Sequence, residues 1–73
     1  MKVTYHPAKR DWTLRNRGLD FEDARLVFAG DTVDTIDGRE DYGETRMVSA
    51  GFVHGRMVIV VWAPRDGNRH VFR

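Results

Sequence analysis

Residues 44–73 read ETRMVSAGFVHGRMVIVVWAPRDGNRHVFR, and this stretch decides the fold. Apolar and polar side chains alternate over residues 44–54, which predicts a long strand. Residues 57–63 are apolar at both odd and even positions, so they predict a central strand that is covered on both faces. Gly55 lies between the two runs and permits a tight hairpin turn.

Further strand signals lie on both sides of this pair. Asp66-Gly67 is a strong hairpin signal, and residues 69–73 supply a returning strand. Residues 32–36 are β-branched but irregular in their alternation, so they predict at best a weak strand. Residues 2–5 alternate enough to form either a short strand or an extended lead-in.

Two helices are predicted in the N-terminal part of the chain. Pro7 suits the first turn of a helix that continues to residue 17, and Gly18 follows where a left-handed cap belongs. An apolar face with helical spacing indicates a second helix, which Gly30 ends. The residues of this face are Phe21, Ala24, Val27 and Phe28. We therefore predict one α+β domain over residues 1–73, with two N-terminal helices followed by an antiparallel sheet of three to four strands.

Length and composition exclude several classes of protein. Seventy-three residues allow one small domain, and the absence of cysteine excludes disulfides, thiolate metal sites and a cysteine nucleophile. The sequence has neither a signal peptide nor an apolar run near the roughly 20 residues of a membrane-spanning helix, so we expect a cytoplasmic protein. The histidines lack short ligand spacing, so we expect neither metal nor cofactor. Trp12 is either a core residue of the first helix or an interface residue, and we favour the core. Trp62, in the apolar strand, is more firmly predicted to be a core residue.

Charge is segregated along the chain, although it sums to only +1. Residues 1–18 have a net charge of +4, residues 19–45 have −7, and residues 46–73 again have +4. Ten of the twelve cationic side chains are arginine, whose planar guanidinium suits bidentate contacts with phosphate. The segregation therefore keeps open a nucleic-acid partner that the net charge alone would argue against.

Three arginines lie on or beside consecutive predicted strands: Arg46, Arg65 and Arg69. We expect hairpin pairing to bring them together. RNA is cut without a metal when its own 2′-hydroxyl attacks the adjacent phosphate, which requires a base, an acid and cations around the phosphate. Arg65 is the first candidate for such a cation, because it directly follows the apolar central strand. The alternative for each arginine is a solvated strand-end residue.

Four more side chains have both a functional and a structural interpretation. Glu44 is either a general base or an ion-pair partner of Arg46, and we favour the ion pair. His70 is a candidate general acid, because imidazole titrates near neutral pH, or simply a residue of the returning strand. Tyr42 either packs its ring or stacks on a base, and Lys9 either binds phosphate or is solvated.

An ordered set of short motifs covers nearly the whole chain. The set comprises Tyr5-His6-Pro7-Ala8-Lys9, RGLDFEDA at residues 17–24 with Phe28, Asp41-Tyr42-Gly43-Glu44 with Arg46, Gly51, and Arg65, Arg69 and His70 after the apolar strand. In its order and gaps this set resembles the BrnT toxins. The resemblance implies a RelE-like fold and a ribonuclease toxin of a bacterial type II toxin–antitoxin system, which cleaves RNA to inhibit translation and growth.

The resemblance also implies partners and site residues. It implies neutralisation by a ribbon-helix-helix antitoxin, BrnA, and contact with operator DNA only through that antitoxin. We accordingly predict an RNA substrate and a metal-independent endoribonuclease. The predicted catalytic residues are Arg65, Arg69, Glu44 and His70, and the predicted RNA-binding residues are Arg46, Tyr42 and Lys9.

The sequence departs from the family pattern at three places. Arg17 stands where many members have His, and Trp12 lies near a common Asn. The family also continues past the last strand with a Ser, an Arg and a C-terminal helix, whereas Arg73 stands at the Ser position. We therefore expect a C-terminally shortened member. The alternative function is a catalytically degenerate, toxin-like protein that only binds its antitoxin.

Overall fold

Five strands and two helices make up the described part of the chain. The computed structural model describes residues 2–39, 41 and 43–72. In chain order the elements are β1 (Val3–Tyr5), α1 (Pro7–Arg17), a 3-10 turn (Phe21–Asp23), α2 (Ala24–Ala29), β2 (Val33–Ile36), β3 (Met47–Val53), β4 (Arg56–Arg65) and β5 (Asn68–Val71). None of the helices in these residues combines the length and the apolar character that crossing a bilayer requires.

The strands form one mixed sheet in the order β1-β5-β4-β3-β2. The pairs β2–β3, β3–β4 and β4–β5 are antiparallel, whereas β1 pairs with β5 in parallel. The α+β class is confirmed, but the predicted order of helices before sheet is wrong, because the chain begins with a strand. The predicted count of three to four strands is also wrong, because β1 and β2 both join the sheet.

The two central hairpins follow from their turn residues. The loops His54-Gly55 and Asp66-Gly67 each have two residues with positive φ, between 52° and 76°. Two-residue loops with this geometry match the twist of the strands that they join, and glycine adopts it without steric cost. β3 therefore pairs with β4 from Val53 opposite Arg56 onwards, and β4 pairs with β5 from Arg65 opposite Asn68.

One face of the sheet packs against the helices, and we call it the helix face. The 3-10 turn and α2 contribute Phe21, Ala24 and Val27, which are buried with residues of β3, β4 and β5. These strand residues are Val53, Val60, Trp62 and Val71. The prediction for Trp62 is confirmed, since it is 9% exposed. The helix face thus holds the apolar core.

The first helix lies further from the core than its sequence predicts. α1 packs against the 3-10 turn, and Arg10 fixes it there with two hydrogen bonds, of 2.7 and 3.0 Å, to the carboxylate of Asp20. Trp12 is 55% exposed, so its predicted core position is wrong. It lines a cleft of about 470 Å³ between α1 and the helix face. A helix of 11 residues offers several apolar side chains, and the spacing alone does not show how closely it approaches the sheet.

The opposite face of the sheet, here called the open face, carries no helix within the described residues. Its cross-strand pairs include Phe52 with Met57, Ala50 with Ile59 and Val48 with Val61. Val61 and Ala63 are buried, whereas Met57 and Ile59 are exposed. The prediction of a central strand covered on both faces is therefore confirmed only for the second half of β4.

Candidate active site

The end of β4 and the start of β3 lie side by side on the open face. Because the two strands are antiparallel, Met47 pairs with Trp62, and both of these side chains point to the helix face. Side chains alternate along a strand, so Arg46 and Arg65 both lie on the open face. Two of the three predicted arginines are thereby brought together.

Glu44 pairs with both of these arginines. Its carboxylate accepts two hydrogen bonds from Arg65, of 2.6 Å from Nη2 and 3.0 Å from Nε. Nε of Arg46 lies 3.9 Å from the nearer carboxylate oxygen, so the favoured ion pair between these two residues is present as a longer contact. The hydrogen bonds from Arg65 hold the pKa of Glu44 below its ordinary value. Glu44 is therefore an anion that orients Arg65.

The ring of Phe72 contacts the guanidinium groups of both Arg46 and Arg65. The guanidinium carbon of Arg46 lies 4.0 Å from the centre of the Phe72 ring, and that of Arg65 lies 5.0 Å from it. These are cation–π distances. The His70 ring packs edge-on against the same phenyl group, with centroids 5.2 Å apart. Phe72 thus joins the predicted cations to the predicted imidazole, a role that its shared parity with His70 in the sequence could have indicated.

The orientation of His70 depends on β1. In the parallel register Thr4 lies opposite His70, and its Oγ1 is 2.9 Å from Nδ1 of the imidazole. Burial lowers the pKa of His70, and the charges of Arg65 and His6 lower it further, against an opposing contribution from Glu44. A neutral imidazole with one nitrogen held by Thr4 is suited to proton transfer through the other nitrogen. No local signal in the sequence pairs Thr4 with a residue 66 positions away.

We call these residues the open-face cluster: Glu44, Arg46, Arg65, His70 and Phe72. It combines two cations, a carboxylate and an imidazole around one aromatic ring. Such a set suits a phosphate group, because guanidinium ions remain charged and bind two oxygens at once. Throughout the described ranges, no group of three or more His, Asp or Glu side chains is arranged to hold a metal ion.

Arg69 does not join the cluster, and the expectation that all three arginines converge is wrong. It pairs with Pro64 and Val3, and its guanidinium lies on the helix face, 4.2 Å from the centre of the Phe28 ring and 5.3 Å from that of Trp62. Its Nε is buried and has no hydrogen-bond partner in the part of the chain that the structure describes. Its neighbour His70 reaches the open face, since consecutive strand residues alternate.

Of the other two predicted RNA-binding residues, one lies away from the cluster and the other is not among the described residues. Lys9 lies on α1 and lines the cleft on the helix side of the sheet. Tyr42 lies outside the described residues. The open-face cluster therefore consists of residues that lie within β4 and β5, shortly before β3 or directly after β5.

A comparison with known protein families identifies the family to which the chain is similar. The family model described as "Ribonuclease toxin, BrnT, of type II toxin-antitoxin system" matches residues 5–72. The match includes every residue of the open-face cluster. A search of curated proteins found no match.

Proposed function

The chain belongs to the BrnT family of ribonuclease toxins of type II toxin–antitoxin systems, and we propose that the open-face cluster is its metal-independent endoribonuclease site. One observation carries this proposal. Arg46, Arg65 and the imidazole of His70 meet around Phe72, on a sheet face that no described helix covers. Cations beside a proton-transfer group are what cleavage by the RNA's own 2′-hydroxyl requires.

The proposed reaction begins with a phosphodiester bound to the two guanidinium groups. Negative charge grows on the non-bridging oxygens as the 2′-oxygen approaches phosphorus, and Arg65 and Arg46 stabilise this charge. His70 exchanges a proton with the reacting oxygens, and its fixed orientation on β5 reduces the entropy lost in reaching the transition state. The products are a 2′,3′-cyclic phosphate and a 5′-hydroxyl.

Glu44 has an orienting role in this proposal. A carboxylate that already accepts two hydrogen bonds from Arg65 is a weak base, because those bonds stabilise its charged form. An incoming phosphate competes with Glu44 for the same guanidinium. Glu44 thereby keeps the guanidinium group of Arg65 aligned in the free protein, and the phosphate of the substrate replaces Glu44 as its hydrogen-bond partner.

A type II system implies a protein antitoxin, and we propose a ribbon-helix-helix protein of the BrnA kind. An antitoxin that covers the open face would contact exposed apolar residues of β3 and β4 and mask the arginines beside them. The exposed apolar residues there include Phe52, Met57 and Ile59. Operator DNA is then a partner of the complex through the antitoxin.

The ion pair between Arg65 and Glu44 favours a second candidate function. The guanidinium fork of Arg65 is already paired with Glu44, as in a protein that retains the fold of the family and binds antitoxin without cutting RNA. In that case the cluster is a structural ion pair on an antitoxin-binding surface. The two functions differ in whether the loss of Arg65 changes an RNA cleavage rate.

The deciding experiment compares the purified chain with its Arg65→Ala and Arg56→Ala variants on RNA in the presence of EDTA. Arg56 is an exposed arginine at the other end of the same strand, so it is a matched control. We expect cleavage by the parent chain, a loss of about 100-fold or more in Arg65→Ala, and no change in Arg56→Ala. If none of the three folded proteins cleaves RNA, the ribonuclease proposal fails and the antitoxin-binding function remains. Equal cleavage by all three would remove Arg65 from the mechanism.

A further inference from the structure

A second imidazole belongs to the surroundings of the open-face cluster. His6 directly follows β1, and its backbone is still extended, with φ −79° and ψ 121°. Thr4 lies two residues earlier, and its side chain contacts His70 on the open face. Because extended residues two positions apart present their side chains to the same side, His6 occupies the next open-face position beyond Thr4.

The main chain and the ring of His6 have separate roles. Its carbonyl oxygen accepts hydrogen bonds from the amides of Lys9 and Arg10, of 3.0 and 3.1 Å, and so begins α1. Its imidazole makes no capping hydrogen bond and is exposed to solvent. His6 is one of the groups that lower the pKa of His70. The start of α1 therefore holds the backbone of His6, whereas the imidazole nitrogens take no part in capping the helix.

We propose that His6 is the second proton-transfer group of this site and acts as the general acid, while His70 acts as the general base. This inference rests on the proposed ribonuclease function and adds the residue that completes its chemistry. Cleavage of RNA by its own hydroxyl needs one group to take a proton and another to give one. Two imidazoles beside paired guanidinium groups meet that need without a metal.

The assignment of roles follows from the contacts of His70. When Nδ1 donates its hydrogen to Thr4 Oγ1, Nε2 has a free lone pair and can accept a proton. Burial and the charge of Arg65 lower the pKa of His70, which favours the neutral form that a base needs. Glu44 is a poorer base because its carboxylate is held by Arg65. Thr4 is in this account a positioning residue.

The proposed step balances in atoms and charge. Nε2 of His70 takes the proton of the 2′-hydroxyl while the 2′-oxygen forms a bond to phosphorus. The bond between phosphorus and the 5′-oxygen breaks, and protonated His6 gives its proton to that oxygen. The step leaves a 2′,3′-cyclic phosphate, a 5′-hydroxyl, a protonated His70 and a neutral His6.

The test uses His6→Asn, with His54→Asn as its control. Asparagine is a good helix N-cap, so the first variant removes the imidazole and retains the start of α1. His54 has a positive φ of 52° in the β3–β4 hairpin, a conformation that asparagine tolerates. We expect RNA cleavage to slow by about 100-fold or more in His6→Asn and to remain unchanged in His54→Asn.

A substrate with a good leaving group separates an acid from a residue that merely stabilises the fold. Uridine 3′-(p-nitrophenyl phosphate) releases p-nitrophenolate, which needs no proton. We expect His6→Asn to cleave it at nearly the parental rate and His70→Asn to cleave it slowly. Equal losses on RNA and on this ester would overturn the assignment of His6 as acid, although the ribonuclease function would stand.

The pH profile gives an independent readout. The base must be neutral, so the rate rises with pH through the pKa of His70, which Arg65, Glu44 and His6 all affect. A general acid must carry the proton that it donates, so a rate that depends on one falls at high pH. We expect His6→Asn to lose the falling limb of the profile and to keep the rising one. Retention of both limbs would contradict the proposal.

A binding measurement decides the matter even if the chain cleaves nothing. We expect uridine 3′-phosphate to shift the imidazole NMR signals of His6 and His70 and to leave that of His54 in place. A shift of His70 without one of His6 would overturn the inference and leave the phosphate site intact. Absence of both shifts, together with absence of cleavage, would reject this inference and the proposed function together.

Discussion

Two neighbouring residues of β5 serve opposite faces of the sheet. His70 points to the open face, where it contacts Thr4 and Phe72, whereas Arg69 lies over Phe28 and Trp62 on the helix face. The sequence identifies both as candidates for RNA chemistry but cannot separate them, because the face of a short strand depends on its register with β4. For Arg69 the surroundings favour a packing role. Its guanidinium also lies close enough to Asp34 to help lower the pKa of that carboxyl, after hydrogen bonds from Ser49 and Thr32.

We predict that Arg69→Met lowers stability and leaves RNA cleavage unchanged. Methionine retains an unbranched apolar stem over the two rings but loses the cation–π contacts, which are worth about 1 kcal/mol at partly exposed sites. Urea unfolding should show a loss of that size, and Arg56→Met should show none. Cleavage by the folded variant should match the parent chain. If the folded Arg69→Met variant lost RNA cleavage to the same extent as Arg65→Ala, Arg69 would have to be counted among the catalytic residues.

At the scale of elements, the sequence predicts helix ends and hairpin turns, which depend on neighbouring residues. It does not predict the pairing of strands that lie far apart in the chain. α1 spans Pro7 to Arg17 and is capped by Gly18, as its residues indicate, and the two hairpins turn at the predicted Gly55 and Asp66-Gly67. β1 could not be placed, because three residues have no usable period and its partner β5 lies at the other end of the chain. The same long-range pairing positions Thr4 against His70. The part of the site that depends on β1 was therefore beyond the reach of local patterns.

The contact of α2 with β3 depends on Gly51, and this leads to a prediction for the element pair. A Cβ atom at Gly51 would lie 2.9 Å from Cγ1 of Val27 and 3.2 Å from Cγ2 of Thr32. Because Val27 is only 1% exposed, it has little room to yield, and α2 would have to move from the sheet. We expect Gly51→Ala to destabilise the fold by about 1–3 kcal/mol.

Denaturant unfolding of Gly51→Ala and Gly38→Ala tests this requirement. Gly38 has open space at the Cβ position and no positive φ, so its variant is the matched control and should retain its midpoint. Equal midpoints for the two variants would show that α2 adjusts to the extra methyl group without cost.

The molecule as a whole has too little net charge to attract RNA over long range, so its binding must come from local contacts. The segregation of charge along the sequence is reduced by folding. Asp20 and Glu44 of the central segment pair with Arg10 and Arg65 of the basic segments, whereas Glu22 and Asp37 pair with arginines of their own segment. The basic character that remains is a property of particular surfaces, of which the open-face cluster is one.

The salt dependence of RNA binding measures how local that attraction is. Each phosphate contact to a single strand contributes about −0.7 to the slope of log K against log salt concentration. We expect a short 2′-O-methyl RNA, which cannot be cleaved, to show a slope of about −1.4 if Arg46 and Arg65 each hold one phosphate charge. The slope should become less negative by about 0.7 in Arg65→Ala and should stay unchanged in Arg56→Ala. An equal change of slope in both variants would mean that RNA binding depends on the total charge of the protein. That result would contradict the assignment of the open-face cluster as the phosphate site.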